Sequence, residues 1–170
     1  MIQLSTQFFN PKILGRAAIV LALLVGGWLV YRWQPERQIE RHQAALLEAL
    51  GDRNWKRVNR LLAPDFRLRT GHDREWLIRE GREVLRQFIA LEIKPVEPVL
   101  ERPEPDKGTV RSRLQVKGSG SPIAQHARDA VNNDPEPFLF VWKHQSWKPW
   151  DWQLMTIDHP LMDRASYTLP

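Results

Sequence analysis

The sequence predicts an α+β protein in which an N-terminal transmembrane helix precedes a domain of three helices packed on a curved antiparallel sheet. Three observations indicate this order. An apolar segment covers residues 13–31, apolar residues repeat with a helical period between residues 35 and 90, and afterwards they alternate with a period of two. Helices that precede a run of strands are typical of α+β domains.

The apolar segment reads ILGRAAIVLALLVGGWLVY, and its uncharged run from Ala17 to Tyr31 is 15 residues long. A bilayer core needs roughly 20 apolar residues, so a spanning helix requires Arg16 to extend its side chain to the headgroups. On that assumption we predict an N-terminal tail over 1–12 and a transmembrane anchor over 13–33, with the lipid bilayer as its partner. A cleavable signal peptide and a buried helix are the alternatives.

The charge of the chain is unevenly distributed. Residues 1–33 contain three basic residues and no acidic one, which leaves 22 basic and 20 acidic residues in 34–170. Such a nearly neutral domain offers no compositional support for a nucleic-acid partner. A short tail before a first apolar segment favours a signal anchor, so we predict a single-pass protein of the inner or plasma membrane with its domain on the exported side. Because the chain has no cysteine, disulfides and thiolate chemistry are excluded.

Three helices are predicted between residues 35 and 90. The first begins at Pro35, a favourable residue for the first turn, and ends at Gly51. The second stops at Pro64. Asp73 caps the third helix, which extends to Ala90 and has an apolar side suited to packing on a sheet. Between Arg53 and Arg86 there are ten basic residues against five acidic ones, so the helical side is positive and suits either an anionic partner or solvent.

Alternating segments predict the strands of the sheet. A short strand is expected over 66–70, and longer ones over 93–101 and 109–117. Pro95 and Pro98 place the strand over 93–101 at a sheet edge or at a bulge.

The C-terminal part predicts a long excursion followed by a hairpin. Residues 118–137 are rich in Gly, Ser, Asn and Pro, and leave room for one or two helical turns. Residues 137–145 and 150–158 alternate around a short turn and predict two paired strands. Their tryptophans are expected to fill a core, because a stacking platform for single-stranded nucleic acid needs basic residues among the exposed rings.

This element order resembles the nuclear transport factor 2-like superfamily, which includes SnoaL-like polyketide cyclases and ketosteroid isomerase. The supporting stretches are LLEALGDRNWKRVNRLLAPDF at 46–66, the helix at 74–90 and the closing strand WDWQLMTID at 150–158. The resemblance implies a cone-like domain, which we place at 36–159 before a C-terminal tail over 160–170.

The resemblance also implies what catalysis would need. Ketosteroid-isomerase chemistry requires a carboxylate base in the cone and a tyrosine or protonated acid that stabilises the enolate oxygen. The two tyrosines are Tyr31 and Tyr167, and neither lies in the predicted cone. The histidines show no metal-ligand spacing. We therefore predict no catalytic residue, no metal site and no cofactor.

Two sets of residues are candidates for binding. The candidates for a ligand pocket in the cone are His42, Asp65, His72, Trp142, His144 and Trp152. Ordinary structural roles compete with this interpretation, such as a turn residue for Asp65 and a core or rim position for His42. The candidates for a partner surface are Trp147, Lys148, His126 and Asp129.

The sequence thus predicts a membrane-anchored, non-catalytic interaction or assembly module that binds a protein partner or a second copy of itself through its sheet. The alternative is a membrane-tethered small-ligand-binding protein, or an enzyme of isomerase or cyclase type, that uses the cone pocket. An open pocket with convergent ionisable side chains favours the alternative, whereas an aromatic plug favours the module.

Overall fold

The computed structural model describes residues 11–162. They form two units, which divide between Gln34 and Pro35. The first unit contains helix α1 (Pro11–Arg32). Most of the predicted N-terminal tail, most of the C-terminal tail and Tyr167 lie outside the described residues, and the predicted domain boundaries stay a prediction.

The prediction of a transmembrane helix over 13–33 is wrong. Among residues 11–162, no helix combines the length and the apolar character that crossing a membrane requires. The physical reason lies in the 15-residue uncharged run, which at 1.5 Å per residue extends for roughly 22 Å, against about 30 Å for a bilayer core. The predicted span was longer than this run because it assumed that the Arg16 side chain reaches the headgroups. The predictions of a signal anchor, of a single-pass membrane location and of an exported domain all depended on this helix. They are wrong for the same reason.

Within residues 35–162, the second unit has four helices of at least 7 residues. They are α2 (Pro35–Gly51), α3 (Trp55–Leu61), α4 (Arg74–Leu85) and α5 (Pro122–Asn133). Side-chain caps explain three of the starts, because an oxygen at the cap satisfies a backbone N–H that has no partner inside the helix. Asn54 accepts from the N–H of Arg57 at 3.1 Å, and Asp73 accepts from that of Trp76 at 2.9 Å. Ser121 caps α5 in the same way.

The strands form one antiparallel sheet in the order β1-β2-β3-β4. Their bounds are β1 (Phe88–Glu104), β2 (Lys107–Gly120), β3 (Phe138–His144) and β4 (Trp152–Asp158). Strand β1 lies at an edge, and its register shifts between Val96 and Val99, where Pro98 interrupts the pairing. The buried hydroxyl of Ser112 lies beside this bulge, 2.7 Å from the Arg113 carbonyl oxygen and 3.2 Å from that of Val96, so its single proton has an acceptor on either side.

Three local predictions differ from the structure. The third helix ends at Leu85 instead of Ala90, because residues 88–90 pair with the end of β2. The excursion contains a helix of 12 residues, α5, where one or two turns were expected. The segment over 66–70 forms isolated β-bridge contacts instead of the predicted strand. For example, the backbone N–H of Arg67 donates to the Met155 carbonyl oxygen at 3.0 Å.

The core of the second unit lies between the helices and one face of the sheet. Its largest fully buried apolar side chains are Trp142, Phe66, Ile39, Leu46, Leu62, Leu154 and Val58. A smaller cluster under α5 consists of Phe88, Val116 and Ala124. The guanidinium of Arg53 joins the helical layer to the sheet, since it donates to the carbonyls of Leu85 and Phe88 at 2.9 and 2.5 Å.

Candidate functional site

The space between the helices and the sheet is filled largely by the side chains of β3. Phe138, Phe140 and Trp142 alternate along this strand and are all buried, as expected for residues that share one face of a strand. Leu154 and Ile157 from β4 pack beside them. The predicted aromatic plug is therefore present, and the site has to be sought among the polar groups that border it.

A buried hydrogen bond joins α2 to β3 in this interior. The indole Nε1–H of Trp142 donates to Oε1 of Gln43 at 3.0 Å, and the two side chains are 0% and 4% exposed. An indole N–H only donates, so the amide oxygen of Gln43 has to face it. The amide nitrogen, Nε2, consequently points away, and it has no hydrogen-bond partner among the described residues.

His42 lies beside this pair on α2. Its ring meets the Trp142 ring edge-on, with 6.0 Å between the centroids. The distance from Nδ1 to the Gln38 carbonyl oxygen is 2.7 Å. Because a carbonyl only accepts, Nδ1 carries the proton, and in the neutral ring Nε2 keeps its lone pair. We call His42, Gln43 and Trp142 the Trp142 cluster.

A second histidine adjoins the cluster two residues further along β3. The ring of His144 stacks on Trp152 with a centroid distance of 5.1 Å. Its Nε2–H donates to the Lys148 carbonyl at 2.6 Å, which leaves Nδ1 as an acceptor in the neutral ring. In both histidines one ring nitrogen therefore donates to a backbone carbonyl, and the other takes no part in these two bonds.

The structure separates the other two pocket candidates from this cluster. Asp65 is exposed in the turn after α3. His72 stacks on Trp76 at 4.0 Å, near the start of α4. Four of the six predicted pocket residues thus lie together around α2, β3 and β4, and the remaining two belong to the segment between α3 and α4.

The partner-surface candidates lie in two separate places. Trp147, which is 85% exposed, and Lys148 lie in the turn between β3 and β4. His126 and Asp129 are exposed on α5, where Asp129 pairs with Arg128 at 2.9 Å. They stay predictions of a partner surface.

Ionisable groups with a clear pKa shift lie outside the cluster. A hydrogen bond from Arg102 lowers the pKa of Glu36, in the first turn of α2, and the two atoms are 2.7 Å apart. Among residues 11–162, no group of three or more histidines and carboxylates is placed to hold a metal ion. The cluster offers hydrogen-bonding groups: an amide, an indole N–H and an imidazole.

Gln43 is the residue of the Trp142 cluster that the sequence interpretation missed. It lies four residues after Ile39 and three before Leu46, so it shares the apolar face of α2. A glutamine at a core position of an amphipathic helix is the signal that identifies it. The indole that binds it lies 99 residues away in sequence, and no local pattern shows this pairing.

Comparisons with known proteins find solved structures of similar fold. No protein-family model matches the chain, and no curated protein matches it. An NTF2-like protein of unknown function in nutrient uptake from Rhodospirillum rubrum has 18% identity and a TM-score of 0.51, over 70% of this chain and 93% of that one. A candidate dehydratase of the NTF2-like family from Streptomyces avermitilis has 12% identity and a TM-score of 0.53, over 72% and 93%.

A third similar structure is Bd1075 from Bdellovibrio bacteriovorus, with 8% identity and a TM-score of 0.53. The match covers 72% of this chain but only 39% of that longer chain. Identities this low establish similarity of fold alone. The second unit of this protein has the nuclear transport factor 2-like fold, as its resemblance to that superfamily implied.

Proposed function

We propose that this protein is a small-ligand-binding domain, and that its ligand is a small polar molecule that hydrogen-bonds to the Trp142 cluster. The observation that carries the proposal is the amide nitrogen of Gln43, a buried donor without a partner among the described residues. Leaving such a donor unpaired costs about 1–3 kcal/mol. A ligand with an acceptor at this point would recover that free energy.

The neighbouring groups indicate the chemistry of the ligand. In its neutral form His42 can accept a hydrogen bond at Nε2, and the unpaired Gln43 Nε2 can donate one. A molecule that carries both a hydroxyl or amide N–H and a carbonyl or carboxylate oxygen matches this pair. The apolar side chains that surround the cluster favour a compact ligand with few charges.

The fold neighbours support a role with small molecules. One is described as a protein of unknown function in nutrient uptake and the other as a candidate dehydratase. These descriptions favour ligand binding, whereas the filled interior by itself favours the interaction module, so the proposal depends on the unpaired amide of Gln43. The proposal requires binding and assigns no reaction to the protein.

An NMR titration tests the proposal. Eight tryptophans give a limited set of indole N–H signals, and the variant Trp142→Phe identifies that of Trp142. We would titrate the protein with a panel of short-chain hydroxy acids, amides and hydroxylated aromatic acids. We expect at least one compound to shift the Trp142 indole signal saturably.

Two variants decide whether the cluster is responsible. Gln43→Met keeps the side-chain length and removes the amide, so the compound should bind this variant at least about tenfold more weakly. His126→Ala, on the exposed side of α5, is the matched control and should bind it normally. The proposal fails if no compound in the panel shifts the signal, or if Gln43→Met binds as tightly as the wild type.

A further inference from the structure

A groove lies between α3 and α4, on a surface that shares no residue with the Trp142 cluster. It has a volume of about 630 Å³ and is open to solvent. Helix α3 contributes Trp55, Lys56 and Asn59, and α4 contributes residues spaced along one helical face. The α4 residues are Arg74, Glu75, Ile78, Arg79, Arg82 and Glu83.

The floor of the groove is apolar and closely packed. Trp55 is half-buried and lies against Gly81 of α4, where an added Cβ would be 3.0 Å from the Cη2 of the indole. A glycine inside a helix costs about 1 kcal/mol relative to alanine. Here it allows the ring to approach the α4 backbone, and Ile78 extends the apolar surface along the same face.

The walls of the groove are positively charged. Four of the lining residues are basic and two are acidic. Arg79 is paired with Glu80 at 3.0 Å, and Glu83 is paired with Arg86 at 2.5 Å. Within residues 11–162, neither Lys56, Arg74 nor Arg82 has a carboxylate at salt-bridge distance.

Arg82 is also held in place. Its guanidinium carbon lies 5.8 Å from the centroid of the Trp55 ring, which is the geometry of a cation–π contact. A planar guanidinium that is already oriented loses less conformational entropy when it forms paired hydrogen bonds to an oxyanion. The groove therefore combines a fixed arginine, two further unpaired cations and an apolar floor.

We infer that this groove binds a small organic phosphate, with the phosphate at Arg74, Arg82 and Lys56 and its apolar group against Trp55 and Ile78. A phosphate monoester carries up to two negative charges and three acceptor oxygens, so it matches several cations better than a carboxylate does. The inference is independent of the function proposed for the Trp142 cluster. A ligand can occupy either site without the other.

The test uses phenyl phosphate as the probe, because its ring matches the apolar floor. We expect it to shift the indole signal of Trp55, which the variant Trp55→Phe assigns, together with the backbone amides of α4. Inorganic phosphate and benzoate are the control ligands, because the first keeps the phosphate of the probe and the second keeps its ring. Each should bind more weakly, since the first lacks the ring and the second has a single charge.

Charge variants separate a specific site from general attraction. Arg74→Gln and Arg82→Gln should each weaken phenyl phosphate binding about tenfold. Arg60→Gln is the matched control, because Arg60 carries the same charge on the neighbouring helix α3, is exposed and does not line the groove, and it should change binding by less than about twofold. Circular dichroism melts would verify that all three variants fold.

Three outcomes would overturn the inference. The first is that phenyl phosphate at millimolar concentration leaves the Trp55 signal unmoved. The second is that Arg60→Gln weakens binding as much as Arg82→Gln. The third is that inorganic phosphate binds as tightly as phenyl phosphate. The second outcome would mean that only the general positive charge of the helices attracts the probe. The third would mean that the apolar floor contributes nothing.

Discussion

At the scale of single residues, the hydrogen bond between Trp142 and Gln43 distinguishes this interior from a purely apolar one. Both side chains are buried, and the bond joins the helical layer to the sheet. Buried polar pairs of this kind are sensitive to the loss of either partner, because the group that is left loses its bond without gaining water.

A double-mutant cycle measures this coupling. Trp142→Phe should lower the free energy of unfolding by about 1–3 kcal/mol, because the Gln43 oxygen loses its donor and a small cavity remains. Gln43→Met removes the acceptor instead. The double variant should lose less than the sum of the two, by about 0.5–1.5 kcal/mol in urea denaturation. Strict additivity would show that the bond does not form, and Trp147→Phe, in an exposed turn, serves as the control.

The cap of α4 gives a prediction of pH dependence. The hydrogen bond from the Trp76 N–H to the carboxylate lowers the pKa of Asp73 below its ordinary value of 3.8. A carboxyl with a lowered folded-state pKa stabilises the fold fully above its unfolded-state pKa. That contribution is lost as the pH falls through the folded-state value.

The variant Asp73→Asn isolates this contribution, because asparagine still caps the helix but does not titrate. Between about pH 5 and about pH 2, its urea midpoint should fall less than that of the wild type. Asp65→Asn, in the exposed turn nearby, should leave the fall unchanged. An equal fall for Asp73→Asn and the wild type would contradict the assigned role of the cap.

At the scale of elements, patterns that depend on neighbouring residues predicted the structure well. Helix α2 begins at Pro35 and ends at Gly51, and Asp73 caps α4, as the sequence indicated. The proline-containing strand β1 lies at an edge and contains a bulge. Each of these features follows from the covalent restrictions or hydrogen-bonding capacity of a few adjacent residues.

The features that the sequence did not predict depend on distant partners. Residues 88–90 continue the apolar face of α4 in a helical projection, yet they form a strand because the end of β2 offers them hydrogen bonds. Ser121 followed by Pro122 marks the start of α5, but the length of that helix depends on packing of Ala124 against Phe88 and Val116. The bond between Gln43 and Trp142 has no local signal at all.

The junction of β1, β2 and α5 is tightly packed at Gly120. A Cβ at this position would meet the Gln87 carbonyl oxygen and would lie 2.8 Å from the Ala124 Cβ. Gly120→Ala should therefore lower the free energy of unfolding by about 1–3 kcal/mol, because either the strand pairing or α5 has to shift. Urea denaturation measures this, with Ser119→Ala at the exposed neighbouring position as the control. A stability equal to that of wild type would contradict the packing of α5 on β2.

At the scale of the whole molecule, the second unit combines a filled interior with a charged exterior. Both hydrophobic clusters lie within it, and the largest side chains in the interior are those of Trp142 and Trp152. A buried amide lies in this interior, and cations that have no carboxylate partner within residues 11–162 line the groove between α3 and α4. Association through the sheet stays a prediction.

Hydrogen exchange of the indole N–H groups tests the central claim most directly, namely that Trp142 is enclosed by the fold and bonded to Gln43. The account predicts that the Trp142 indole N–H exchanges slowly, while that of Trp147, which is 85% exposed, exchanges rapidly in the same sample. Equally rapid exchange at both indoles would contradict the enclosed hydrogen bond and, with it, the ligand site built on Gln43.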